Sequence, residues 1–166
     1  REQKIDKSVE KDPVETGIKN ITDQIKEPVI SKNTMNLIEF CGHKPDEHGT
    51  HNFQEDIQNA IDELAEKGGG KLIIPHPNSD SWIKQLMVYR IKGPIVLKSG
   101  VELSLHPSIK LFFEFDPESY LENGKGVLGR YEGTTIYALS SCIKAFNAEN
   151  IAIKFHGGDG ALPIIS

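Results

Sequence analysis

The sequence predicts an all-β solenoid, because a strand–turn–strand unit occurs twice at nearly the same spacing. In the first unit, the apolar run 95–97 precedes a turn and the alternating segment 101–105. In the second, residues 143–146 precede a turn and the alternating segment 151–155. Strict alternation of apolar and polar residues turns one face of a strand inward and the other outward. The two units begin 48 positions apart, a spacing that fits coils stacked on one another.

Residues 53–66 carry the clearest helix pattern in the sequence. Their apolar side chains recur at helical spacing on one face, at Phe53, Ile57, Ala60, Ile61 and Leu64. Gly68-Gly69-Gly70 should end this helix, because glycine tolerates the left-handed conformation found after a helix. Short strands are predicted at 36–40 and 72–74, and residues 76–90 are predicted to form a long loop.

The chain divides into two predicted regions. Residues 1–35 are polar and weakly periodic, and we expect an N-terminal extension that is partly helical or disordered. Residues 36–166 should form the coils, with a long polar loop at about 116–141 leaving them. A β-sandwich or a β-barrel is the alternative, but the Asn-Gly turns typical of hairpins occur only at Asn123-Gly124, inside that loop.

Composition excludes several classes of partner. The formal net charge is −5 and no cluster of Lys and Arg forms a basic stripe, so nucleic acid is not an expected partner. No run of 18 apolar residues is present, so no membrane-spanning helix is expected. The two cysteines, Cys41 and Cys142, lie in unrelated contexts, which favours two free thiols over one disulfide.

Several segments occur in an order that resembles a known family of enzymes. They are NLIEFCG, FQEDIQNAIDELAEKGGGKLIIP, YRIKGPIVLKSGVELSLHPSIKLFF, DPESYL, RYEG and AFNAENIAI. This order is similar to the N-terminal part of the polygalacturonase-like enzymes of glycoside hydrolase family 28, and the resemblance covers residues 24–154. It implies an incomplete right-handed parallel β-helix whose N-terminal end is capped by the helix at 53–66.

The resemblance also implies an activity, the hydrolysis of galacturonide linkages in pectic polysaccharide. The family's catalytic motifs are an Asn-x-Asp, an Asp-Asp pair, a Gly-His-Gly and an Arg-x-Lys on later coils. We expect them to lie outside this chain, so no catalytic residue is assigned and the chain alone should be inactive. The alternative is a non-catalytic β-helix module that binds a glycan or a protein. An extracellular or periplasmic location is expected, with a signal peptide already removed.

Arg130, Tyr131 and Glu132 are the predicted substrate-binding residues. An arginine can grip a uronate carboxylate with two parallel hydrogen bonds, and a tyrosine ring can pack on a sugar face. In the family resembled, the matching segment leaves the β-helix near the substrate groove. The alternative is an internal ion pair between Arg130 and Glu132 that holds the loop.

Two other clusters of polar residues have plainer interpretations. Glu114, Asp116 and Glu118 would share one face of a strand, but Pro117 interrupts it, so a solvated acidic turn is expected. The histidines of the 43–51 loop match no helical zinc-binding spacing, so we predict neither a metal site nor a cofactor.

The apolar residues near the C-terminal end bear on association. A solenoid coil contacts only its neighbours, so its outermost face must be covered. Ile151, Ile153 and Phe155 would leave an apolar cross-section with open strand edges. We therefore expect self-association through the open C-terminal coil, or a continuation of the chain, besides binding of a pectic or other acidic polysaccharide.

Overall fold

The computed structural model of the protein describes residues 13–24, 26–78, 85–156 and 164–165. Strands form most of its regular structure. In chain order they are β1 (Thr34–Asn36), β2 (Gly70–Ile74), β3 (Met87–Ile91), β4 (Ile95–Leu97), β5 (Val101–Leu105), β6 (Ile109–Phe113), β7 (Val127–Tyr131), β8 (Thr134–Ala138), β9 (Ile143–Ala145), β10 (Ala152–Phe155) and β11 (Ile164–Ile165). The helices are α1 (Pro13–Thr22), α2 (Leu37–Cys41), α3 (Gln54–Glu66) and a 3₁₀ helix (Pro117–Tyr120).

Three parallel sheets organise these strands. The first has the order β1-β2-β5-β10, the second β3-β6-β11 and the third β4-β9. From β2 onwards the chain visits the first, second and third sheets in turn and then returns to the first, with only the antiparallel pair β7 and β8 interrupting the cycle. Every pairing within the three sheets is parallel, which overturns the sandwich and barrel alternatives built on antiparallel hairpins.

Inward side chains of successive strands stack in register and form the core. Leu72 pairs with Leu103, and Leu103 in turn pairs with Ile153. In the second sheet, Tyr89 pairs with Leu111. The strands bury alternate residues as the period-two pattern predicts, and each fully buried aliphatic side chain contributes about 1.5–3 kcal/mol.

Helix α3 confirms the helix predicted at 53–66 and packs against β2, β4 and β5. Its predicted apolar face is fully buried. The Gln58 side chain also makes two hydrogen bonds with the backbone of Val96. Its Oε1 accepts from the Val96 N–H at 2.9 Å, and its Nε2 donates to the Val96 carbonyl oxygen at 3.1 Å. The side-chain amide of Gln58 thereby pairs with one edge of β4 as the backbone of a neighbouring strand would.

The triple glycine ends α3 and also lets two turns of the chain approach each other. The Gly68 N–H donates to Ala65 and the Gly69 N–H to Leu64, the hydrogen bonds of a Schellman motif. A Cβ on Gly69 would lie 2.5 Å from the carbonyl oxygen of Gly100. The glycines are therefore needed for stacking as well as for ending the helix.

The strand predicted at 36–40 is wrong, because the structure has helix α2 there. Asn36 ends β1 in an extended conformation, and its Oδ1 accepts hydrogen bonds from the N–H groups of Ile38 and Glu39. Asn is among the strongest N-cap residues, since its side chain satisfies N–H groups that the first helical turn leaves unpaired. Gly42 then ends α2 in the left-handed conformation.

Two regions predicted as loops contain strands. Strand β3 occupies 87–91, where Met87, Tyr89 and Ile91 alternate inward. The 116–141 region contains the 3₁₀ helix and the β7–β8 hairpin, and Asn123-Gly124 forms a further two-residue turn closed by a bridge between Glu122 and Lys125.

The N-terminal region contains helix α1, and residues 1–12 lie outside the described residues. The apolar side chains Val14, Ile18 and Ile21 are exposed on this helix. No helix among the described residues is long and apolar enough to cross a membrane.

Candidate functional site

The predicted binding residues lie at the tip of the β7–β8 hairpin. Arg130 faces Thr135 and Tyr131 faces Thr134 across the two strands. Glu132 and Gly133 form the two-residue turn, with φ angles of 46° and 82°. Such a turn matches the twist of a hairpin, but a residue with a side chain rarely adopts a positive φ. Glu132 therefore occupies a position that Asn or Gly would fill with less strain.

Arg130 is held by its own turn and does not pair with Glu132. Its Nε donates to the carbonyl oxygen of Gly133 at 3.2 Å. Among the described residues, no carboxylate lies within ion-pair distance of its guanidinium. Tyr131 is 64% exposed. A cation and an aromatic ring are thus both exposed to solvent, on opposite faces of β7.

A groove of about 990 Å³ lies between this hairpin and the strands β4 and β9. Its lining is mixed, with Lys125, Lys144, Leu128, Leu139 and Phe146 among its side chains. The hairpin residues that line it extend along β7 only to Gly129, so Arg130, Tyr131 and Glu132 stand beyond one end of the groove. We refer to this space as the hairpin groove.

Charge and apolar surface alternate in the hairpin groove. Lys144 of β9 forms an ion pair with Glu122, while Lys125 is exposed. Leu128 is 65% exposed and Phe146 is 83% exposed. Glu122 is the one carboxylate among the described lining residues. The surface therefore combines ammonium groups with exposed apolar side chains.

The acidic residues after β6 are held in ion pairs. Glu114 lies 2.6 Å from Nη1 of Arg90, and Asp116 lies 2.9 Å from Nζ of Lys92. Hydrogen bonds from Lys92 and then from Ser119 lower the pKa of Asp116. The two ion pairs link the ends of β3 and β6, so this turn is held by ion pairs, whereas a solvated acidic turn was expected.

Two of the family's four catalytic patterns do occur in this chain by their letters. Arg90-Ile91-Lys92 matches Arg-x-Lys, and Asn78-Ser79-Asp80 matches Asn-x-Asp, although residues 79 and 80 lie outside the described residues. Arg90 also donates from Nε and Nη2 to the carbonyl oxygens of Gly49 and Thr50. The ion pairs of Arg90 and Lys92 hold β3 to the segment after β6, so Arg90 and Lys92 match the Arg-x-Lys motif in residue type only.

The structure brings the histidine loop together with residues that the sequence analysis left apart. His43 and His51 both lie against Asp56 of α3, and Cys41 ends α2 beside them. Cys41 and Cys142 are both free thiols, as predicted. No local sequence pattern indicates this cluster, because the turn at Gly42 and the packing of α3 bring Cys41 and Asp56 to the histidines.

Solved structures provide the comparison with known proteins. The chain is 33% identical to a hyperthermoactive exopolygalacturonase from Thermotoga maritima, with a TM-score of 0.67, over 85% of this chain and 28% of that enzyme. It is 24% identical to a family 28 exopolygalacturonase from Yersinia enterocolitica, with a TM-score of 0.53, over 75% of this chain and 20% of that one. The second likeness concerns the fold alone.

No protein-family model and no curated protein matches the chain. The chain spans less than a third of the length of either exopolygalacturonase. The resemblance to the polygalacturonase-like enzymes of family 28 is nevertheless confirmed, and what the chain resembles is a part of such an enzyme.

Proposed function

We propose that this chain forms the N-terminal coils of a right-handed parallel β-helix and contributes to the binding of a pectic chain in a galacturonide-hydrolysing enzyme. The observation that carries the proposal is the 33% identity to an exopolygalacturonase over most of this chain. The three parallel sheets visited in rotation support stacked coils. Connections between parallel strands of one sheet are overwhelmingly right-handed, which supports the proposed hand.

Helix α3 serves as the N-terminal cap in this proposal. It buries four apolar side chains against the first strands, and the Gln58 amide pairs with the edge of β4. An unpaired strand edge would otherwise be available to strands of other molecules. The cap accounts for a helix in a protein made mostly of strands.

The hairpin groove and the tip beyond it form the proposed binding surface. Lys125 and Arg130 can each attract a uronate carboxylate, and the ring of Tyr131 can pack on a sugar face. A local cluster of cations is needed, because the formal net charge of −5 would repel a polyanion. Binding should therefore weaken as the salt concentration rises.

Binding without hydrolysis is proposed for this chain alone. Glycoside hydrolysis generally needs two carboxyl groups on either side of the scissile bond. Glu122 is the one carboxylate among the described residues of the groove, and it is paired with Lys144. The catalytic carboxylates would come from other coils, and the enzyme would act outside the cell or in the periplasm.

The binding role is tested with an Arg130→Ala variant and an oligogalacturonide in isothermal titration calorimetry. Loss of an exposed charge-assisted contact should raise Kd about 5- to 10-fold. Lys110→Ala removes a cation from strand β6, away from the groove, and should leave Kd unchanged. Equal Kd values for all three proteins would remove Arg130 from the binding surface, and hydrolysis of polygalacturonate by this chain would contradict the proposed division of roles.

Self-association remains a prediction of the same account. Phe146 is 83% exposed, and Ile153 and Phe155 of β10 are 39% and 45% exposed. Apolar surface of this kind favours contact with another copy of the chain. Sedimentation velocity should show an average mass that rises with concentration, and a single monomeric species throughout would contradict it.

A further inference from the structure

Cys41, His43, His51 and Asp56 meet at the junction of α2, the loop 42–52 and the first turn of α3. The nearest ligand atoms of Cys41, His43 and Asp56 lie within 4.8 Å of one another. His51 lies against the same oxygen as His43, with its Nε2 2.6 Å from Oδ2 of Asp56. The two imidazole rings are in contact, with centroids 3.9 Å apart.

The loop that carries the histidines is fixed on both sides. Arg90 binds the carbonyl oxygens of Gly49 and Thr50, and the Val88 N–H donates to the carbonyl oxygen of Asp46. Asp46 accepts from the N–H groups of His48 and Thr50. Hydrogen bonds to Asp46, of which those from Thr50 have the largest effect, lower the pKa of its carboxyl group to about 2. The carboxylate is therefore ionised at neutral pH and keeps these bonds.

Each side chain of the cluster is also positioned by its own element. The left-handed turn at Gly42 directs the His43 N–H to the Cys41 Sγ, at 3.4 Å. The His51 ring packs edge-on against Phe53, which is fully buried. Asp56 lies in the first turn of α3. The four groups are therefore held together by the fold and do not depend on a flexible loop.

The separation of His43 and Asp56 fits two ligands of a tetrahedral metal ion. Two ligands that each lie about 2.0 Å from a tetrahedral Zn²⁺ are about 3.3 Å apart. The His43 Nδ1 and the Asp56 Oδ2 are separated by 3.3 Å. The shorter 2.6 Å contact of His51 is instead that of a hydrogen bond, of the kind that orients a carboxylate ligand of a metal.

From this geometry we propose that Cys41, His43 and Asp56 bind a zinc ion, with His51 donating a hydrogen bond that orients the Asp56 carboxylate. One sulfur, one nitrogen and one oxygen ligand suit Zn²⁺ or Co²⁺, whereas Mg²⁺ and Ca²⁺ require oxygen ligands. The ion would join α2 to the start of α3. Three protein ligands leave one position of the tetrahedron open, which a water would fill.

The thiol of Cys41 must lose its proton when the ion binds. Its S–H donates to the carbonyl oxygen of His43 at 3.7 Å. The Sγ–Zn²⁺ bond replaces the S–H bond, and the proton passes to the solvent buffer. Binding should therefore release protons, as it does at other cysteine-containing metal sites.

The test is titration of the full chain with Zn²⁺ and, separately, with Co²⁺. We expect a Kd for Zn²⁺ below about 1 µM, a rise in Tm on adding zinc, and a thiolate-to-cobalt charge-transfer band with Co²⁺. Cys41→Ser and Asp56→Asn should each weaken binding more than about 100-fold and remove the band, and His51→Gln should weaken it about 10- to 100-fold.

Matched controls separate the site from adventitious binding. Cys142→Ser removes the other free thiol, and His48→Gln removes an exposed histidine of the same loop. Both should bind zinc as the unaltered chain does. Circular dichroism of each metal-free variant shows whether it is folded. Binding that survives in folded Cys41→Ser and Asp56→Asn proteins, or no cobalt band in the unaltered chain, would overturn the proposal.

Discussion

Gly69 lies where a side chain would collide with the backbone of Gly100. A Cβ there would meet the carbonyl oxygen of Gly100 at 2.5 Å, and its φ is +92°. Gly68 has a similar φ of +84°, but a Cβ on it would meet nothing within 4 Å. Both positions therefore need glycine for its backbone conformation, and only Gly69 also needs it for the close approach to Gly100.

Alanine at these two positions should give unequal losses of stability. Gly68→Ala costs about 1–2 kcal/mol, because an L-residue must adopt a left-handed conformation. Gly69→Ala adds a backbone shift, worth about 1–3 kcal/mol more. Urea denaturation of both variants measures the difference. Equal free energies of unfolding would mean that the coils are not stacked at Gly100 as described.

The histidines after β2, β5 and β10 form a stack that should make stability depend on pH. Ring centroids of His76 and His106 lie 5.5 Å apart, and those of His106 and His156 lie 5.9 Å apart. Burial lowers the pKa of His106, and the neighbouring His76 and His156 lower it further. Burial is also the main cause that lowers the pKa of His156.

The direction of this pH dependence follows from the pH at which the folded and unfolded chains bind protons. The unfolded chain takes up protons near pH 6.5, while the folded chain takes them up at lower pH. The free energy of unfolding should therefore decrease as the pH falls below about 6.5. Thermal unfolding at pH 7.5 and 5.5 measures it, and His106→Gln should reduce the decrease while His48→Gln should not. An unchanged decrease in His106→Gln would exclude the stack as its source.

At the scale of elements, the edge of β4 depends on one side chain of α3. Gln58→Ala would leave the N–H and the carbonyl of Val96 without their partner, at a cost of about 1–3 kcal/mol. Asn59→Ala changes the adjacent, exposed residue of the same helix and should cost less than about 0.5 kcal/mol. Chemical denaturation compares them, and similar losses would argue against the proposed cap.

Helices and strands with a clear residue pattern within one segment could be predicted from the sequence. Those that depend on a single side chain or on contacts with other segments could not. The apolar face of α3 and the alternation in β5 and β6 needed only one segment each. The short α2 was missed because its start depends on one Asn36 side chain. Strand β3 was missed although Met87, Tyr89 and Ile91 alternate, since the polar segment before it suggested a longer loop.

The candidate sites show the same limit. Arg130, Tyr131 and Glu132 could be proposed as binding residues because the resemblance placed a motif there. The hairpin groove could not, because its lining comes from β4, the hairpin and β9, which are separated by many residues in the sequence. The Cys41–Asp56 cluster depends likewise on how α2 and α3 pack.

At the scale of the whole molecule, the parallel sheets support the groove from beneath. Strands β4 and β9 pair in register and form the floor of the groove. The β7–β8 hairpin, which lies between β6 and β9 in the sequence, forms its wall. In the proposed function, other coils would continue this floor and bring the catalytic carboxylates. The central claim is therefore that a pectic chain lies along the hairpin groove.

Nuclear magnetic resonance of the ¹⁵N-labelled chain, titrated with an oligogalacturonide, tests this claim most directly. The account predicts that amide shifts change along the groove and the hairpin tip, at 125–133 and 138–146, and that added salt reverses the changes. Amides of α3 and of the second sheet serve as internal controls and should not move. Shift changes confined to those control regions, or no changes at all, would contradict the claim.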